Sequence, residues 1–332
     1  MSISDPSKRV ELPSSMEGKT VLVAGAAGFV PSTVSEFYLN LGAKVIGLDN
    51  FVTGSRSNIE ILNKYENFEF HECNIYESLP DFSGVKIDYI LSLASPASPI
   101  DFKVLPLEIM RVNSEGTMHL LELAKDKGAR FLEASTSEVY GDPEIHPQRE
   151  DYVGHVNPIG PRACYDEAKR FAEAMTMSYH TKYGVDTRII RIFNTYGPRM
   201  RPNDGRVIPN FINQAMKGED LTVYGDGLQT RSFCYVTDLV NAIHNVLFSH
   251  DHTPFNIGNP DEYTILDAAK YIIEALGSTS KIVHLELPKD DPKRRRPVLD
   301  KLQAVSDYRP QVSFKDGIAK TALYFKEIAQ KN

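Results

Sequence analysis

Tyr165 and Lys169 stand four residues apart in a stretch, Arg162 to Tyr183, whose composition is that of a helix. Their side chains therefore project from one face, one turn apart. A phenol alone titrates near ~10 and is a poor base at neutrality. An ammonium held one helical turn away favours the phenolate. Such a pair could take a proton from a substrate hydroxyl, provided something else accepts the hydride. Tyr-x-x-x-Lys on a helix is common, so its meaning depends on the elements around it. About thirty residues earlier, Thr136, Ser137 and Glu138 add two hydroxyls and a carboxylate.

The elements that must position these groups begin at Thr20–Ala24, a short β-rich apolar run. It leads at once into Gly25-Ala-Ala-Gly28-Phe29-Val30-Pro31 and a helical stretch to about Leu41. Lys44–Leu48 and Asp49 follow, giving strand, glycine turn, helix, strand and acid, the order of a dinucleotide-binding βαβ unit. Gly25 permits the tight turn, and Gly28 lets backbone N–H groups approach a pyrophosphate at the helix N-terminus. Asp49 can accept hydrogen bonds from ribose hydroxyls and would repel a 2′-phosphate, which favours NAD; Arg56 nearby keeps NADP open. Pro31 occupies the position where a small residue usually packs helix against strand. In the first turn it removes little hydrogen bonding, but its ring is expected to lift the helix off the sheet and weaken NAD binding.

The alternation continues. Phe68–Phe70 reads as a strand, with Asn74 and Ile75 beyond it where adenine contacts usually fall, and Asp88–Ala94 as another that ends in Ser95–Pro99. A helix is predicted from about 105 to 127, then a strand over Arg130–Ser135. Strands alternating with helices to residue 193 imply an α/β fold, a Rossmann-type doubly wound parallel sheet with ligands at the carboxyl ends of its strands. Ser95–Pro99 and Ser135–Tyr140 lie at such ends, so Thr136, Ser137 and Glu138 are expected to face a nicotinamide. The pattern changes at the turn Asn194–Arg199. Helices over about 207–217, 237–248 and 264–276 then alternate with short strands at 221–224, 231–235 and 281–285. The expected organisation is a loose leader over 1–18, an NAD-binding domain carrying the catalytic residues over 19–193, and a smaller α/β substrate lobe over 194–332, with some return of chain to the large domain. Arg199, Arg201, Arg206, Arg231 and the run Lys293–Arg296 enrich that lobe in cations. Arginines facing an anion suit a diphosphate or a carboxylate. The 293–296 run reads equally well as a solvated face, although Asp290-Asp291-Pro292 and Pro297 constrain it.

Composition bounds the remaining classes. The 332 residues are 42% hydrophobic and 24% charged, ordinary for a globular chain large enough for one big domain or two unequal ones. A net charge of -7 argues against a general nucleic-acid binder. Cys73, Cys164 and Cys234 are scattered, with no paired spacing, which suits a reducing compartment and offers no metal cluster. The N-terminal stretch lacks the apolar core of a signal peptide, and no later run is long enough for a membrane span, so the expected location is the cytoplasm.

Taken together these residues resemble the extended short-chain dehydrogenase/reductase family, the NAD-dependent epimerases and dehydratases of nucleotide sugars. Within it the resemblance is strongest to the UDP-glucuronate decarboxylases. It runs over about residues 19–326 and rests on Ala94–Pro99, Ser135–Asp142, Asn157–Glu167, Arg191–Met200, Leu221–Gly225, Gln229–Phe233, and Asp290–Pro292 with Arg295. The resemblance implies bound NAD, contacted by Gly25, Gly28, Phe29, Val30, Asp49 and Asn50, then by Asn74, Ile75, Leu93 and Ala94, and by Tyr165 and Lys169. It implies that Tyr165, assisted by Lys169, takes the C4 hydroxyl proton while hydride leaves C4, with Thr136 bonding the same oxygen. Loss of carbon dioxide from the 4-keto sugar and protonation at C5 would involve Glu138 and Arg295, and return of the hydride would give UDP-xylose. Ser137 stands where the related dehydratases carry an aspartate that protonates a departing hydroxyl, so elimination of water is disfavoured.

On the substrate side the resemblance implies Pro96, Ala97, Ser98 and Asn113, then Asn194, Arg206 and Val207, and finally Tyr224, Arg231 and Arg295. It further implies a homodimer built through residues 105–127 and 162–183. Four departures fall around the pocket: Asn74 and Val298 each replace an aspartate, Ser92 a histidine and Pro209 a serine. Two alternatives stay open at this point: a 4-epimerase or 4-keto-forming oxidase on a related nucleotide sugar, and a non-catalytic nucleotide-sugar-binding homologue.

Overall fold

The computed structural model describes residues 9–286 and 294–331. Its first half runs β1 (Thr20–Ala24), α1 (Phe29–Asn40), β2 (Lys44–Asp49), α2 (Arg56–Leu62), β3 (Phe68–Glu72) and β4 (Tyr89–Ser92). The helices α3 (Pro99–Val104), α4 (Pro106–Arg111) and α5 (Thr117–Lys127) follow, the last two joined by a π-helical turn, Val112–Gly116. Then come β5 (Arg130–Thr136), a 3₁₀ turn (Ser137–Tyr140), α6 (Ala163–Tyr183) and β6 (Thr187–Ile192). The second half comprises β7 (Thr195–Tyr196), α7 (Val207–Lys217), β8 (Leu221–Tyr224), β9 (Thr230–Ser232), β10 (Cys234–Tyr235), α8 (Val236–Leu247), β11 (Phe255–Ile257) and β12 (Glu262–Thr264). It ends with α9 (Ile265–Leu276), β13 (Ile282–Leu285), β14 (Arg294–Arg295), α10 (Asp300–Val305) and α11 (Phe314–Lys331).

Seven strands form one sheet in the order β11-β6-β5-β4-β1-β2-β3, every pair parallel. Alternate residues of a strand face opposite sides, so both faces must be apolar when helices cover both. Val21 and Val23 pack with Val34 and Tyr38 of α1 and with Leu239 and Ile243 of α8. Leu22 and Ala24 pack on the other side with Leu120, Leu121 and Ala124 of α5. The chain leaves β1 toward β2 and β3, then returns to pair β4 on β1's other edge. This reversal opens a crevice at the carboxyl ends of β1 and β4.

A second core, built from Phe211, Ile212, Val223, Phe233, Ile265 and Phe314, belongs to the smaller lobe. There β14 lies parallel to β9 and β12 antiparallel to it, while β13 pairs with β8. β11 pairs with β6 of the seven-stranded sheet, and α8 packs on that sheet's core.

Three expectations need correction. Residues 9–18 are not loose: Met16 is buried and the Val10 N–H donates to Val305 O at 2.8 Å. The helix expected over 105–127 is interrupted by the π turn. Pro31 does not lift α1 from the sheet; its ring is buried and the helix continues unbroken to Asn40. At the third helical position the missing N–H is one that has no intrahelical acceptor anyway. Residues 1–8, Asp290-Asp291-Pro292 and Lys293 lie outside the described residues. Among the described residues no helix is long and apolar enough to cross a membrane.

Candidate active site

A cavity of about 1060 Å³ occupies the crevice between the sheet's carboxyl edge and the smaller lobe. At its floor Gly25 adopts φ 84°, and a Cβ there would lie 2.8 Å from Ala94 Cα, so only glycine lets β1 and β4 splay this closely. Gly28 is the N-cap of α1, bringing no side chain between the cavity and the helix's first N–H groups, and Phe29 and Val30 line the wall beside it. Asp49 closes the far side. Its carboxylate accepts from the Ala27 N–H at 3.0 Å and the Phe51 N–H at 2.7 Å. Burial pushes Asp49 upward while those backbone donors pull it back. Arg56 is engaged elsewhere, stacked 4.1 Å from the Phe51 ring and paired with Glu72 at 3.3 Å. Asn50, Asn74, Ile75, Leu93 and Ala94 line the same wall, and the buried Oδ1 of Asn74 has no partner among the described residues.

The groups expected to do chemistry converge at the end of β5. Thr136 is the last residue of the strand and caps the following 3₁₀ turn, its Oγ1 accepting from the Glu138 N–H at 3.2 Å. The Tyr165 phenol lines the cavity with it. Burial pushes that phenol up, against the pull of the Thr136 hydroxyl and the Arg206 charge. Phe102 stacks on its ring at 4.9 Å. Lys169, one turn along α6, is buried and directs its ammonium to Ala134 O at 2.6 Å and Glu133 Oε1 at 3.4 Å. Ser137, buried beside Thr136, also lines the cavity.

Glu138 is held by two guanidinium groups. Arg295 grips both carboxylate oxygens, with Nη2 2.9 Å from Oε2, and Arg162 Nη2 lies 2.6 Å from Oε2. Burial alone would raise this carboxyl, but Arg295 and Arg162 together hold it at about 2. Asp166, behind Arg162, is driven the other way: burial first and then the Glu138 charge push it up to about 7. Two carboxyl groups that share Arg162, at 2.6 and 3.9 Å, are thus pushed in opposite directions.

Strand pairing sets Arg295 directly beside Arg231, residues in register across β14 and β9. Both face the cavity with Asn194, Tyr224, Arg206 and Val207, the last two at the N-terminus of α7. Other predicted anion-gripping arginines have partners in the protein. Arg199 binds Glu36 at 2.5 Å and Ser32 O at 3.0 Å, Arg201 binds Asp101 at 2.6 Å, and Arg206 chelates Asp204, with Nη2–Oδ2 at 2.9 Å. Pro96, Ala97 and Ser98 form the opposite lip, where Ser98 donates to Asp204 O across the cleft.

Asn113 departs from expectation. It is buried in the π turn behind that lip, its amide donating to Ser95 Oγ at 2.9 Å and Ile109 O at 2.8 Å, and it does not line the cavity. Two residues that do line it, Arg162 and Phe102, were missed as site residues. Arg162 sits three positions before Tyr165, a spacing on the same helical approach that could have flagged it; nothing in the sequence around Phe102 marked its stacking.

A family model for the NAD dependent epimerase/dehydratase family matches residues 21–258. A UDP-glucuronic acid decarboxylase 1 from Danio rerio is 48% identical over 316 residues, covering 95% of this chain and 75% of that protein. Among solved structures, an epimerase from Methanothermobacter thermautotrophicus superposes with a TM-score of 0.86 at 30% identity, covering 95% of this chain and 94% of the other. The UDP-glucuronic acid 4-epimerase from Bacillus cereus, solved with UDP-glucuronic acid and NAD, does so with a TM-score of 0.83 at 28% identity, covering 93% and 99%.

Proposed function

This chain belongs to the NAD dependent epimerase/dehydratase family, and from that premise we propose that it is a UDP-glucuronate decarboxylase, forming UDP-xylose and carbon dioxide. The observation that carries the reading is the grouping of Tyr165, Thr136, Glu138 and Arg295 around one cavity, in a chain nearly half identical to a decarboxylase over almost its whole length.

The cavity fits NAD. The side-chain-free approach at Gly25 and Gly28, the Asp49 carboxylate and the unpartnered Asn74 oxygen suit pyrophosphate, ribose hydroxyls and an adenine amino group in turn. Arg56, the cation that could have met a 2′-phosphate there, is tied to Glu72, which favours NAD over NADP. When bound, NAD supplies the acceptor and later the donor of the C4 hydride.

Tyr165 takes the proton of the C4 hydroxyl, and Thr136 fixes that oxygen beside the phenol. The sugar's carboxylate then lies β to a carbonyl, so the electrons of the breaking C–C bond pass into an enolate as carbon dioxide leaves. The negative charge develops on the C4 oxygen, where the two hydroxyls meet it. Arg295 anchors the departing carboxylate, and Glu138 orients Arg295. Held ionised by two arginines, Glu138 is a poor direct proton donor; its part in C5 protonation is to place a water. Tyr165 finally returns its proton to the C4 oxygen. Arg231 and Arg206 bind the diphosphate and Tyr224 packs on the nucleoside, assigning the cofactor to residues 19–193 and most of the nucleotide sugar to the smaller lobe.

A 4-epimerase acting on the same nucleotide sugar is the second reading, favoured by the fold shared with the enzyme solved with UDP-glucuronic acid. Incubation with NAD and UDP-glucuronate, followed by NMR, separates the two. UDP-xylose without net NADH supports decarboxylation; UDP-galacturonate alone, or binding without turnover, rejects it. The protein acts as a homodimer in this reading. Leu107 and Met110 on α4, Met118 on α5 and Phe171 on α6 leave apolar surface exposed in the segments expected to form the bundle, and light scattering tests it. Three free cysteines suit a reducing cytoplasm.

A further inference from the structure

Glu133 lies in the middle of β5, where a parallel strand covered on both faces calls for an apolar residue. It is fully buried, and its Oε2 has no partner among the described residues. Its Oε1 faces Lys169 Nζ at 3.4 Å, and buried Ser92 is its register partner on β4. A carboxylate is strongly disfavoured in such a place unless a cation compensates it. Glu173, the other acid near this point on α6, already has its own cation: Arg191 of β6 grips it at 2.9 and 2.7 Å. Glu133 is therefore the counter-ion of Lys169. Burial raises its carboxyl overall, and the Lys169 charge is the main pull the other way.

The consequence reaches Tyr165. Lys169 is the cation whose charge, one helical turn away, was expected to favour the phenolate. A paired ammonium acts over distance as a dipole, whose field falls off faster than that of a lone charge. The groups that act on the phenol from other elements are Thr136 at the end of β5, Glu138 just beyond it and Arg206 beside α7, with Asp166 on its own helix. We propose that Glu133 is a positioning residue for the oxidation step: it anchors Lys169 against β5 and neutralises the charge through which Lys169 activates Tyr165. The inference rests on the reading of Tyr165 as the proton acceptor. It adds that this chain carries a built-in restraint on that group, installed by Glu133.

The test uses the NAD-loaded protein and the near-isosteric Glu133→Gln, with Glu133→Leu as a second variant. The ultraviolet phenolate titration of Tyr165 is isolated by subtracting the Tyr165→Phe protein in each background. This readout needs no substrate, so it judges Glu133 even if UDP-glucuronate proves not to be turned over, a result that would instead reject the proposed function. The midpoint is expected to fall by about one pH unit in both variants. The acid limb of the kcat/KM profile should move down by the same amount. In a Lys169→Met background, Glu133→Gln should leave the midpoint in place. An unmoved midpoint in the first experiment, a shift that persists without Lys169, or failure of both variants to fold would each overturn the proposal, the last by making the carboxylate purely structural.

Discussion

Replacing Arg295 with alanine tests the decarboxylation site most directly. The guanidinium is nearly inaccessible, 4% exposed, and binds both oxygens of Glu138. Removing one member of a buried ion pair typically costs about 3–5 kcal/mol. Arg162 remains on Glu138 Oε2 at 2.6 Å, so the carboxylate is not left alone and the low end, about 3 kcal/mol, applies here. If that energy is expressed in the transition state for carbon dioxide loss, turnover falls by about 10²-fold. In the proposed reaction hydride abstraction at C4 depends on Tyr165 and Thr136, which Arg295 does not contact in the described structure, so oxidation should persist and NADH should accumulate. The assay follows NADH absorbance during a single turnover alongside carbon dioxide release. Arg295→Lys keeps a charge but cannot chelate two oxygens, and should recover only part of the loss. Unchanged rate and product in Arg295→Ala would refute the assignment and turn the reading toward 4-epimerisation.

Tyr165→Phe removes the proposed proton acceptor while leaving the ring stacked on Phe102. Turnover should fall about 10²–10⁴-fold with NAD content retained, measured by kcat and by absorbance of released cofactor. Gly25→Ala forces a φ of 84° on alanine and sets its Cβ 2.8 Å from Ala94 Cα, whereas Gly84→Ala, at φ 75°, meets open space. The strain alone is worth about 1–2 kcal/mol, so both should melt earlier, but only Gly25→Ala should also lose at least about tenfold in NAD affinity by calorimetry. Asp166 has its carboxyl raised to about 7, so its stabilising contribution is present below the unfolded value and is lost as pH rises toward 7. Asp166→Asn should therefore flatten the decline in melting temperature between about pH 4 and about pH 7. Glu138, held at about 2, exerts its opposite effect only at lower pH.

Much of this protein could be read along the chain because local physics writes it there. The βαβ unit from Thr20 to Asp49 follows from an apolar run, a glycine turn and an acid at fixed spacing, and the strand–helix alternation dictates a parallel sheet. Pairing of Tyr165 with Lys169 on one face follows from the helical repeat, and the long motif matches point to the family. What the sequence could not supply were the relations between residues far apart. Arg295 reaches Glu138 only because β14 pairs with β9, bringing together groups 157 positions apart. Arg199 and Arg201 looked like anion ligands until folding placed Glu36 and Asp101 against them. Asn113 turns to Ser95 because a π turn, which needs one more residue per hydrogen-bonded ring, rotates it away from the cavity's edge. The burial of Glu133 against Lys169 arises from the packing of α6 over β5, and no reading of neighbours along the chain contains that contact. Propensity and periodicity act over a turn or two, whereas charge compensation is decided by which distant groups share a dry interior.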